Sequence, residues 1–466
     1  MKKQYDVIIV GAGPSGIFTA LELSEKDPSL SVLIIEKGSE IRKRNCPLLS
    51  GAPSCATCPE CAILSGWGGA GAFSDGKLGL SPDVGGYLER YVSKDELIAF
   101  IDYVDGIYLR YGAPDKVYGD DDKEIAEIKK KAALSDLLFV PSRIRHIGTD
   151  KCLEVLREME SDLRSRVNVV FKSVATDILV SGSGGNRRVT GVRLDDGTDC
   201  MAGNVVLAPG REGSKWLEIM AKKHGLATLR NPVDIGVRVE VPAAVMEPLT
   251  SVTYEPKLVF VSRKFEDRVR TFCVNPYGEV VKEYLKGVWT VNGHSYAERK
   301  TDNTNFALLV SSAFTEPFDE PISYGRHIAS LANFLSGGIL LQKLGDLSAG
   351  RRSTHDRIRK GSVTPSLKDA TPGDLSYVLP YRHMTAIVEM LEALDRLVPG
   401  VNSRHTLLYG VEVKFYSLQM KLTGSLETDI NGLYAVGDGA GVSRGLIQAS
   451  VSGVIAARDI LSIHSG

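Results

Sequence analysis

The chain has 466 residues, and its 56 Lys and Arg nearly balance 57 Asp and Glu, so its formal net charge is -1. This balance excludes a general electrostatic attraction to nucleic acid or to anionic lipid. No uncharged apolar run reaches about 18 residues, and the start, MKKQYDVIIV, does not have the features of a signal peptide. We therefore expect a cytoplasmic protein without a membrane segment.

The first predicted elements form a strand–turn–helix–strand unit. Residues 5–10 (YDVIIV) predict a buried parallel strand, residues 17–23 a helix, and residues 31–35 a second strand that ends at Glu36. The intervening GxGxxG motif offers a tight turn, close backbone approach to a pyrophosphate and close helix–strand packing. Glu36 can accept hydrogen bonds from a ribose diol and would repel a 2′-phosphate. The predicted dinucleotide contacts are Gly11, Gly13, Pro14, Ser15, Gly16, Glu36 and Lys37.

A cysteine run follows, with Cys46, Cys55, Cys58 and Cys61 close together. The last three have the spacing of ferredoxin-type 4Fe–4S ligands, and Cys46 is followed by proline, as the distant fourth ligand usually is. Four thiolates also suit tetrahedral zinc, and a redox-active thiol pair is a third interpretation. Clustered cysteines fit a cytosolic metal or redox site better than a disulfide framework.

The middle of the first half predicts helices. Ser93 and Glu96 form a capping box ahead of an apolar helical pattern, and a charged helix is expected over residues 120–133. Thr149 or Asp150 is expected to cap a further helix that runs to about residue 164, and a strand is expected to begin near residue 167.

Three segments resemble the FAD-binding motifs of the glutathione-reductase-like superfamily. Residues 429–457 (DINGLYAVGDGAGVSRGLIQASVSGVIAA) resemble its second fingerprint, whose aspartate binds the ribitol chain. Residues 204–210 (NVVLAPG) resemble its strand-and-turn motif, and residues 167–178 its adenine-contacting segment. The resemblance implies FAD as the cofactor. It adds these contacts: Val174, Ala208, Gly210, Gly437, Asp438 and Leu446.

The cysteine run, GWGGAGAFSDGKLGLSPDVGG, VNGHSYA, TNFALL and GRRS together resemble a bacterial and archaeal family of FAD-dependent dehydrogenases, the NAD(FAD)-utilising dehydrogenases. The resemblance spans most of the chain and implies an oxidoreductase without naming a substrate. Unlike glutathione reductase, the chain has no second GxGxxG between Gly213 and Asn431 and no CxxxxC pair. NAD(P)H is therefore expected only as a transient electron donor.

These observations predict an α/β protein with a Rossmann-like FAD-binding domain and an inserted mixed α+β substrate domain. The FAD domain is expected to be discontinuous, over residues 1–80, 140–230 and 400–466. Residues 81–139 are expected to form a helical insertion, and residues 231–399 the substrate domain, with helices over 326–335 and 381–397.

Three residues and one short motif are candidates for chemistry beside the flavin. Lys77 follows the glycine-rich run and could stabilise a reduced flavin anion, or it could be a surface lysine at a turn. His294 and Tyr296 alternate onto one side of an extended segment, as a general acid and its helper or as structural groups. Residues 350–353 (GRRS) could clamp a carboxylate or phosphate, or could form a solvated turn.

The first functional hypothesis is an FAD-dependent dehydrogenase or reductase of a small organic substrate. Its electrons would come from NAD(P)H or, through the cysteine site, from an electron-carrier protein. The alternative from another class is an electron-transfer or redox-sensing flavoprotein with a Cys-ligated centre. Within the enzymes, an FAD monooxygenase is the alternative.

Overall fold

The structure is a computed structural model that describes residues 4–47, 58–229, 232–285, 287–296, 299–312, 320–415 and 418–464. The chain divides into two compact units. Residues 1–116, 145–231 and 417–466 form the first, and residues 117–144 and 232–416 form the second. This division separates the two helices of residues 81–139, which the sequence treats as one insertion.

A seven-stranded sheet forms the centre of the first unit, as far as the structure describes it. Its parallel part is rich in β-branched residues that are buried on both faces, as the sequence predicts for the first strand. The parallel strands are, in order across the sheet, Asn168–Phe171, Val32–Glu36, Gln4–Val10, Asp199–Leu207 and Leu433–Ala435. An antiparallel extension adds Arg188–Leu194 and Ala175–Ser181.

Helices cover this sheet. The α-helices of the first unit are Pro14–Lys26, Lys94–Arg110, Thr149–Arg166, Ser214–His224 and Leu446–His464. Its short 3-10 turns are Ile41–Lys43, Gly69–Phe73, Leu88–Arg90, Gly184–Asn186 and Asp438–Ala440. Its short strands are Lys77–Gly79, Thr228–Leu229 and Gln419–Met420, and Ile144–His146 lies at the unit boundary.

The caps of two helices test the local sequence reasoning. The predicted capping box forms, because Ser93 Oγ accepts from the Glu96 amide and the Glu96 carboxylate accepts from the Ser93 amide. The expected cap at Thr149 or Asp150 is wrong. Gly148 is the N-cap, with a φ of 88° and no side-chain cap, because the helix begins at Thr149 itself.

The second unit contains an eight-stranded, mainly antiparallel sheet among its described residues. In order across the sheet, its strands are Thr371–Pro372, Leu340–Lys343, Leu407–Lys414, Val233–Pro242, Asn303–Ser312, Arg268–Asn275, Lys257–Val261 and Leu138–Val140. A hairpin of Glu279–Leu285 and Val288–His294 is separate, and Val117–Tyr118 is a short strand. The helices are Asp122–Leu134, Ala243–Thr253, Pro321–Ser336, Leu344–Ser348, His355–Arg359 and Tyr381–Leu397, with a 3-10 turn at Leu375–Tyr377.

The central strand Val233–Pro242 shows what the two faces of this sheet bury. Ile235, Val237 and Val239 belong to the apolar core cluster on one face. Arg238 and Glu240 alternate with them and are also fully buried. One face is therefore apolar, and the other holds charged groups that need partners inside the protein.

One helix of the described chain, Leu446–His464, is long and apolar enough to cross a membrane by length and composition. About two thirds of its most apolar window, 67%, is buried inside the structure. Its apolar composition is accounted for by this burial, which is typical of a core helix.

Candidate functional site

The loop between strand Gln4–Val10 and helix Pro14–Lys26 has the features of an anion site. Gly13 is the N-cap of the helix, no side chain caps it, and Pro14 occupies its first turn. The first amides of a helix have no acceptor within the helix, and they carry the positive end of its dipole. These amides are therefore available to a phosphate group.

The three glycines of this loop have different surroundings. A Cβ placed on Gly11, whose φ is +107°, would lie 2.2 Å from the carbonyl oxygen of Ala208. A Cβ on Gly16 would lie 2.0 Å from the carbonyl oxygen of Gly11. A Cβ on Gly13 would meet no protein atom within 4 Å. Packing therefore requires glycine at two positions, whereas the space above Gly13 is open, as a bound pyrophosphate would need.

Two further loops meet the first one at the carboxyl ends of neighbouring parallel strands. The Ala208 amide donates to the carbonyl oxygen of Val10 at 2.8 Å. A Cβ on Gly437 would lie 2.1 Å from Ser15 Oγ, and one on Gly439 would lie 2.6 Å from the carbonyl oxygen of Gly210. The structure thus brings together the three glycine loops that the sequence analysis assigns to one cofactor, at the edge where α/β sheets bind ligands.

The start of the last helix belongs to the same region. Asp438 accepts hydrogen bonds from Ser443 Oγ at 2.6 Å and from Arg211 Nε at 2.8 Å. Leu446, the first residue of the helix, has its Cδ2 atom 2.8 Å from the position that a Cβ on Gly71 would take. The glycine-rich run therefore passes directly beside this helix.

Glu36 is the last residue of strand Val32–Glu36, and its carboxylate also accepts hydrogen bonds from backbone amides of neighbouring loops. Its Oε2 accepts from the Ala12 amide at 2.8 Å, and its Oε1 accepts from the amides of Gly38 at 2.8 Å and Gly66 at 2.9 Å. A carboxylate has about four acceptor sites, so three are already used. The carboxylate joins the GxGxxG loop to the glycine-rich run, a role that the sequence analysis did not anticipate.

Two other expected cofactor contacts already have protein partners. The Val174 amide donates to Asp195 Oδ1 at 3.2 Å, and the Val174 carbonyl oxygen accepts from the Asp195 amide at 2.9 Å. Lys37 Nζ lies 3.7 Å from Glu212 Oε1. The adenine contact of Val174, the ribose contact of Glu36 and the role of Lys37 remain predictions.

Arg44 is a structural residue that sequence reasoning missed, since no motif marks it. The side chain is 7% exposed, and its guanidinium donates to the carbonyl oxygens of four loop residues. The acceptors are Ala62 at 2.9 Å, Ile63 at 2.8 Å, Trp67 at 2.5 Å and Gly69 at 2.8 Å. Burial lowers the pKa of Arg44 to about 10, and the nearby Glu36 and Cys61 act in the opposite direction.

The cysteine run is only partly described. Cys55 lies outside the described residues, Cys46 and Cys61 are half-buried, and Cys58 is exposed. Within the described ranges, no group of three or more His, Cys, Asp or Glu residues is placed to hold a metal ion. The 4Fe–4S and zinc interpretations of the four cysteines remain predictions.

Lys77 lies in a buried polar group. Its Nζ is 2.9 Å from Asp75 Oδ2, and the two side chains are 11% and 14% exposed, so the pair is largely shielded from solvent; the role of Lys77 beside a flavin remains a prediction. Burial lowers the pKa of the neighbouring His146, while Asp75 raises it and Lys77 lowers it further. Burial, with Asp75 and Asp150, raises the pKa of Cys152 to about 12, so that this thiol is protonated at neutral pH. Of this group, only Lys77 is marked in the sequence, by its place after the glycine-rich run.

His294 and Tyr296 lie in the second unit, at the end of the hairpin. His294 pairs in register with Glu279. The Tyr296 hydroxyl donates to Glu279 Oε1 at 2.8 Å, and burial together with Glu279 raises the pKa of Tyr296 to about 12. The phenol is therefore neutral at pH 7 and its proton points to a carboxylate. Roles for both residues in catalysis remain predictions.

The second unit also buries an ion pair that the sequence analysis missed. Arg238 donates to both oxygens of Glu412, at 2.7 and 2.9 Å, and neither side chain is exposed. Burial opposes ionisation of Glu412, but Arg238 and Lys414 hold the pKa of this carboxyl below its ordinary value. Gly293 leaves room for the guanidinium, because a Cβ there would lie 2.5 Å from it.

Comparison with protein families gives a match in the second unit. Residues 232–415 match the family model described as FAD-dependent protein, C-terminal domain-like. Together with the glycine loops of the first unit, this match indicates an FAD-dependent protein. The match does not name a substrate.

The individual relatives and solved structures match this chain at low sequence identity or over a short segment. A protein of Clostridium beijerinckii named "Uncharacterized protein" is 28% identical over 480 residues, covering 97% of this chain and 80% of the relative. The mitochondrial electron transfer flavoprotein-ubiquinone oxidoreductase of Dictyostelium discoideum is 53% identical over 53 residues, which are 10% of this chain and 8% of that protein. Glycine oxidase from Geobacillus kaustophilus is 13% identical with a TM-score of 0.39, over 99% of this chain and 95% of that chain. At this TM-score the likeness indicates neither substrate nor mechanism.

Proposed function

We propose that the chain is an FAD-dependent dehydrogenase or reductase of a small organic substrate, with the FAD pyrophosphate bound over Gly13. The observation that carries this proposal is the open space at Gly13. It lies between Gly11 and Gly16, where an added Cβ would meet a carbonyl oxygen, and beside an uncapped helix start. FAD, when bound, supplies the hydride chemistry, and the protein supplies position and charge.

The proposed roles of the surrounding residues follow from their contacts. Gly11 and Gly16 shape the loop, and the helix amides bind phosphate. Asp438, held by Ser443 and Arg211, would orient a ribitol hydroxyl. Lys77 would supply the positive charge that favours a reduced flavin, and Asp75 would hold its ammonium group in position. His294 is the candidate general acid.

The proposed source of electrons is outside the chain. Because the sequence has no GxGxxG motif between Gly213 and Asn431, we propose that NAD(P)H binds transiently or that an electron-carrier protein delivers electrons. The cysteine run is the candidate entry point for the carrier, as a 4Fe–4S cluster, a zinc-ordered loop or a thiol pair.

The test of the FAD site is Gly13→Ala. The methyl group enters space that holds no protein atom, and the Gly13 φ of -79° suits any residue, so the fold should persist. We expect FAD to bind at least about tenfold more weakly, which corresponds to about 1.4 kcal/mol. Flavin absorbance of the purified protein and FAD titration of the apoprotein measure this, with circular dichroism as the folding readout. Unchanged FAD affinity in the folded variant would refute the proposed position.

The matched control is Gly106→Ala, an exposed glycine in helix Lys94–Arg110 whose added Cβ also meets no atom within 4 Å. This change should leave FAD affinity unaltered and stabilise the helix by about 0.5–1 kcal/mol. Iron and zinc analysis of the same anaerobic preparation tests the cysteine centre. Protein lacking both metals would count against a metal site.

A further inference from the structure

The large sheet of the second unit has a groove at one edge that the proposed function does not use. The groove has a volume of about 550 Å³ and is lined by one acidic, four apolar and two basic residues. They are Asp136, Leu138, Val259, Phe260, Val261, Arg263 and Arg268, all within the second unit. Successive side chains of a strand point to opposite faces of the sheet. A groove that meets residues 259–261 in succession therefore follows the edge of the strand rather than one face.

Strand Lys257–Val261 is only partly covered on its outer side. Leu138–Val140 pairs with it from Lys257 to Val259, and no strand of the described chain is in register with Val261 on that side. The chain turns at Asp136, whose φ is 60°, out of the preceding helix. The edge strand therefore ends before it reaches Val261.

The backbone groups of Val261 point to this open side. In an antiparallel ladder, successive residues direct their amide and carbonyl groups alternately to the two neighbouring strands. The Ser262 amide donates at 2.8 Å to the carbonyl oxygen of Asp267, which directly precedes the inner neighbour, Arg268–Asn275. The amide and carbonyl of Val261 therefore face outward, where an added strand could bond them.

The side chains beside this edge are apolar and exposed. Leu138 is 56% exposed and Val261 is 58% exposed, although both lie in strands. Leu134, at the end of the preceding helix, is 78% exposed. An exposed apolar strand edge favours pairing with another chain, and contiguous apolar surface of this kind marks interaction sites.

Two exposed arginines give the groove its charge. The guanidinium groups of Arg263 and Arg268 form no ion pair in the part of the chain that the structure describes. The single acid of the groove does not neutralise them, because Asp136 is paired with Arg396 at 2.8 Å. The groove therefore has an excess of positive charge, which is complementary to a partner that carries carboxylates.

Carboxylates next to the groove are engaged elsewhere. Asp267 pairs with Arg382. Glu389 accepts from the Ser262 hydroxyl at 2.7 Å and from the Arg263 amide at 2.9 Å. These contacts leave the two guanidinium groups of the groove available to a partner.

We propose that this groove binds an extended acidic segment of a partner protein, which adds to the sheet as a short strand beside Val261. The backbone of the segment would bond the outward amide and carbonyl of Val261, and its apolar side chains would cover Leu138 and Val261. Its carboxylates would pair with Arg263 and Arg268. A second copy of this chain is a poorer occupant, because two-fold pairing of the same edge brings the arginines of both copies together. The groove does not involve the FAD loops, so the proposal stands or falls separately from the proposed function.

The test uses the full-length protein as purified and a fluorescein-labelled heptapeptide of alternating glutamate and valine. We expect fluorescence anisotropy to show saturable binding at submillimolar peptide. Arg263→Gln with Arg268→Gln should weaken binding at least tenfold, and a heptapeptide of alternating lysine and valine should not bind. The control, Lys151→Gln with Arg157→Gln, removes the same charge from exposed positions of helix Thr149–Arg166 and should leave binding unchanged.

Two further measurements distinguish strand addition from simple charge attraction and from self-association. N-methylation of every second amide should abolish binding in one phase of the peptide only, because only one set of amides faces the sheet. Sedimentation velocity reports the oligomeric state of the protein without peptide. The proposal is overturned by an absence of saturable binding at millimolar peptide, by retained binding in the folded double variant, or by equal binding of the two methylated peptides. A dimer that Val261→Lys dissociates would also overturn it, by identifying a second copy as the occupant.

Discussion

Arg44 shows how a single buried side chain supports the candidate site. Its guanidinium bonds four carbonyl oxygens of residues 62–69, and Gly68 of that run donates its amide to the carbonyl oxygen of Ala12 at 2.8 Å. One residue therefore holds the glycine-rich run against the GxGxxG loop. Glu36 also links the glycine-rich run to the GxGxxG loop, because its carboxylate accepts hydrogen bonds from the backbone amides of Ala12, Gly38 and Gly66.

The first prediction is that Arg44→Met destabilises the protein by about 2–4 kcal/mol, because several buried carbonyls lose their donor. Urea unfolding measures the change, and proteolysis of residues 58–73 should accelerate. Arg42→Met, two positions earlier and exposed, is the control and should change the stability by less than about 0.5 kcal/mol. Equal effects of the two substitutions would contradict the role of Arg44.

For individual residues, the sequence indicated which positions matter at the candidate site better than it indicated their hydrogen-bond partners. The GxGxxG glycines were identified correctly as a turn and a close packing contact, because these are local backbone requirements. Glu36 was identified from its place at the end of a strand, but its bonds to Gly38 and Gly66 depend on a loop that folds back from thirty residues away. Arg44 had no local signature, because its four acceptors are backbone atoms.

At the scale of elements, helices Pro14–Lys26 and Leu446–His464, the first and last of the first unit, pack closely against each other. A Cβ on Gly453 would lie 2.1 Å from the carbonyl oxygen of Ser15 and 2.8 Å from Thr19 Oγ1. Thr19 Oγ1 also bonds the Gly453 carbonyl oxygen at 3.2 Å. Helix Leu446–His464 therefore determines where helix Pro14–Lys26, and with it the phosphate loop, can lie.

We predict that Gly453→Ala costs at least about 1–3 kcal/mol, because the helices must move apart to admit the methyl group. FAD affinity should fall as well, since Ser15 belongs to the phosphate loop. Thermal unfolding and FAD titration measure the two effects. Gly106→Ala, a helical glycine with open surroundings, should raise the stability instead. A neutral effect of Gly453→Ala would show that the helices are not held at this distance.

Elements were predicted well where their pattern was strong. The strand expected over residues 5–10 is Gln4–Val10, and the helix expected over 381–397 is Tyr381–Leu397. The helix expected over 326–335 begins earlier, at Pro321, because proline is favoured in a first turn and the apolar pattern there is weak. Periodicity locates an element, whereas the residues around its ends set its limits.

For the whole molecule, the important observation is that the second unit is discontinuous. Strand Leu138–Val140 forms the edge of its large sheet and pairs with Lys257–Val261. Ile128 and Ala132, from the preceding helix, are part of the unit's apolar core. The family match to residues 232–415 therefore covers most of this unit and omits residues 117–144.

We predict that a fragment of residues 232–416 expressed alone is poorly soluble, because it exposes a sheet edge and buried residues such as Leu258 and Phe260. Adding residues 117–144 through a flexible Gly/Ser linker should restore a cooperative thermal transition. Circular dichroism and gel filtration of the two fragments test this. A well-folded short fragment would show that the edge strand is dispensable.

The sequence by itself determined the class of this protein: the α/β elements, the phosphate loop and the resemblance to FAD-binding motifs. These depend on short-range patterns of glycine, apolar residues and turns, which reflect the backbone conformations each segment can adopt. Only the tertiary structure decided which polar groups meet. The four carbonyls around Arg44, the three amides bound by Glu36 and the buried Arg238–Glu412 pair depend on contacts made during folding. The free energy of a buried charge depends on its partners, and partners distant in the sequence leave no pattern in it.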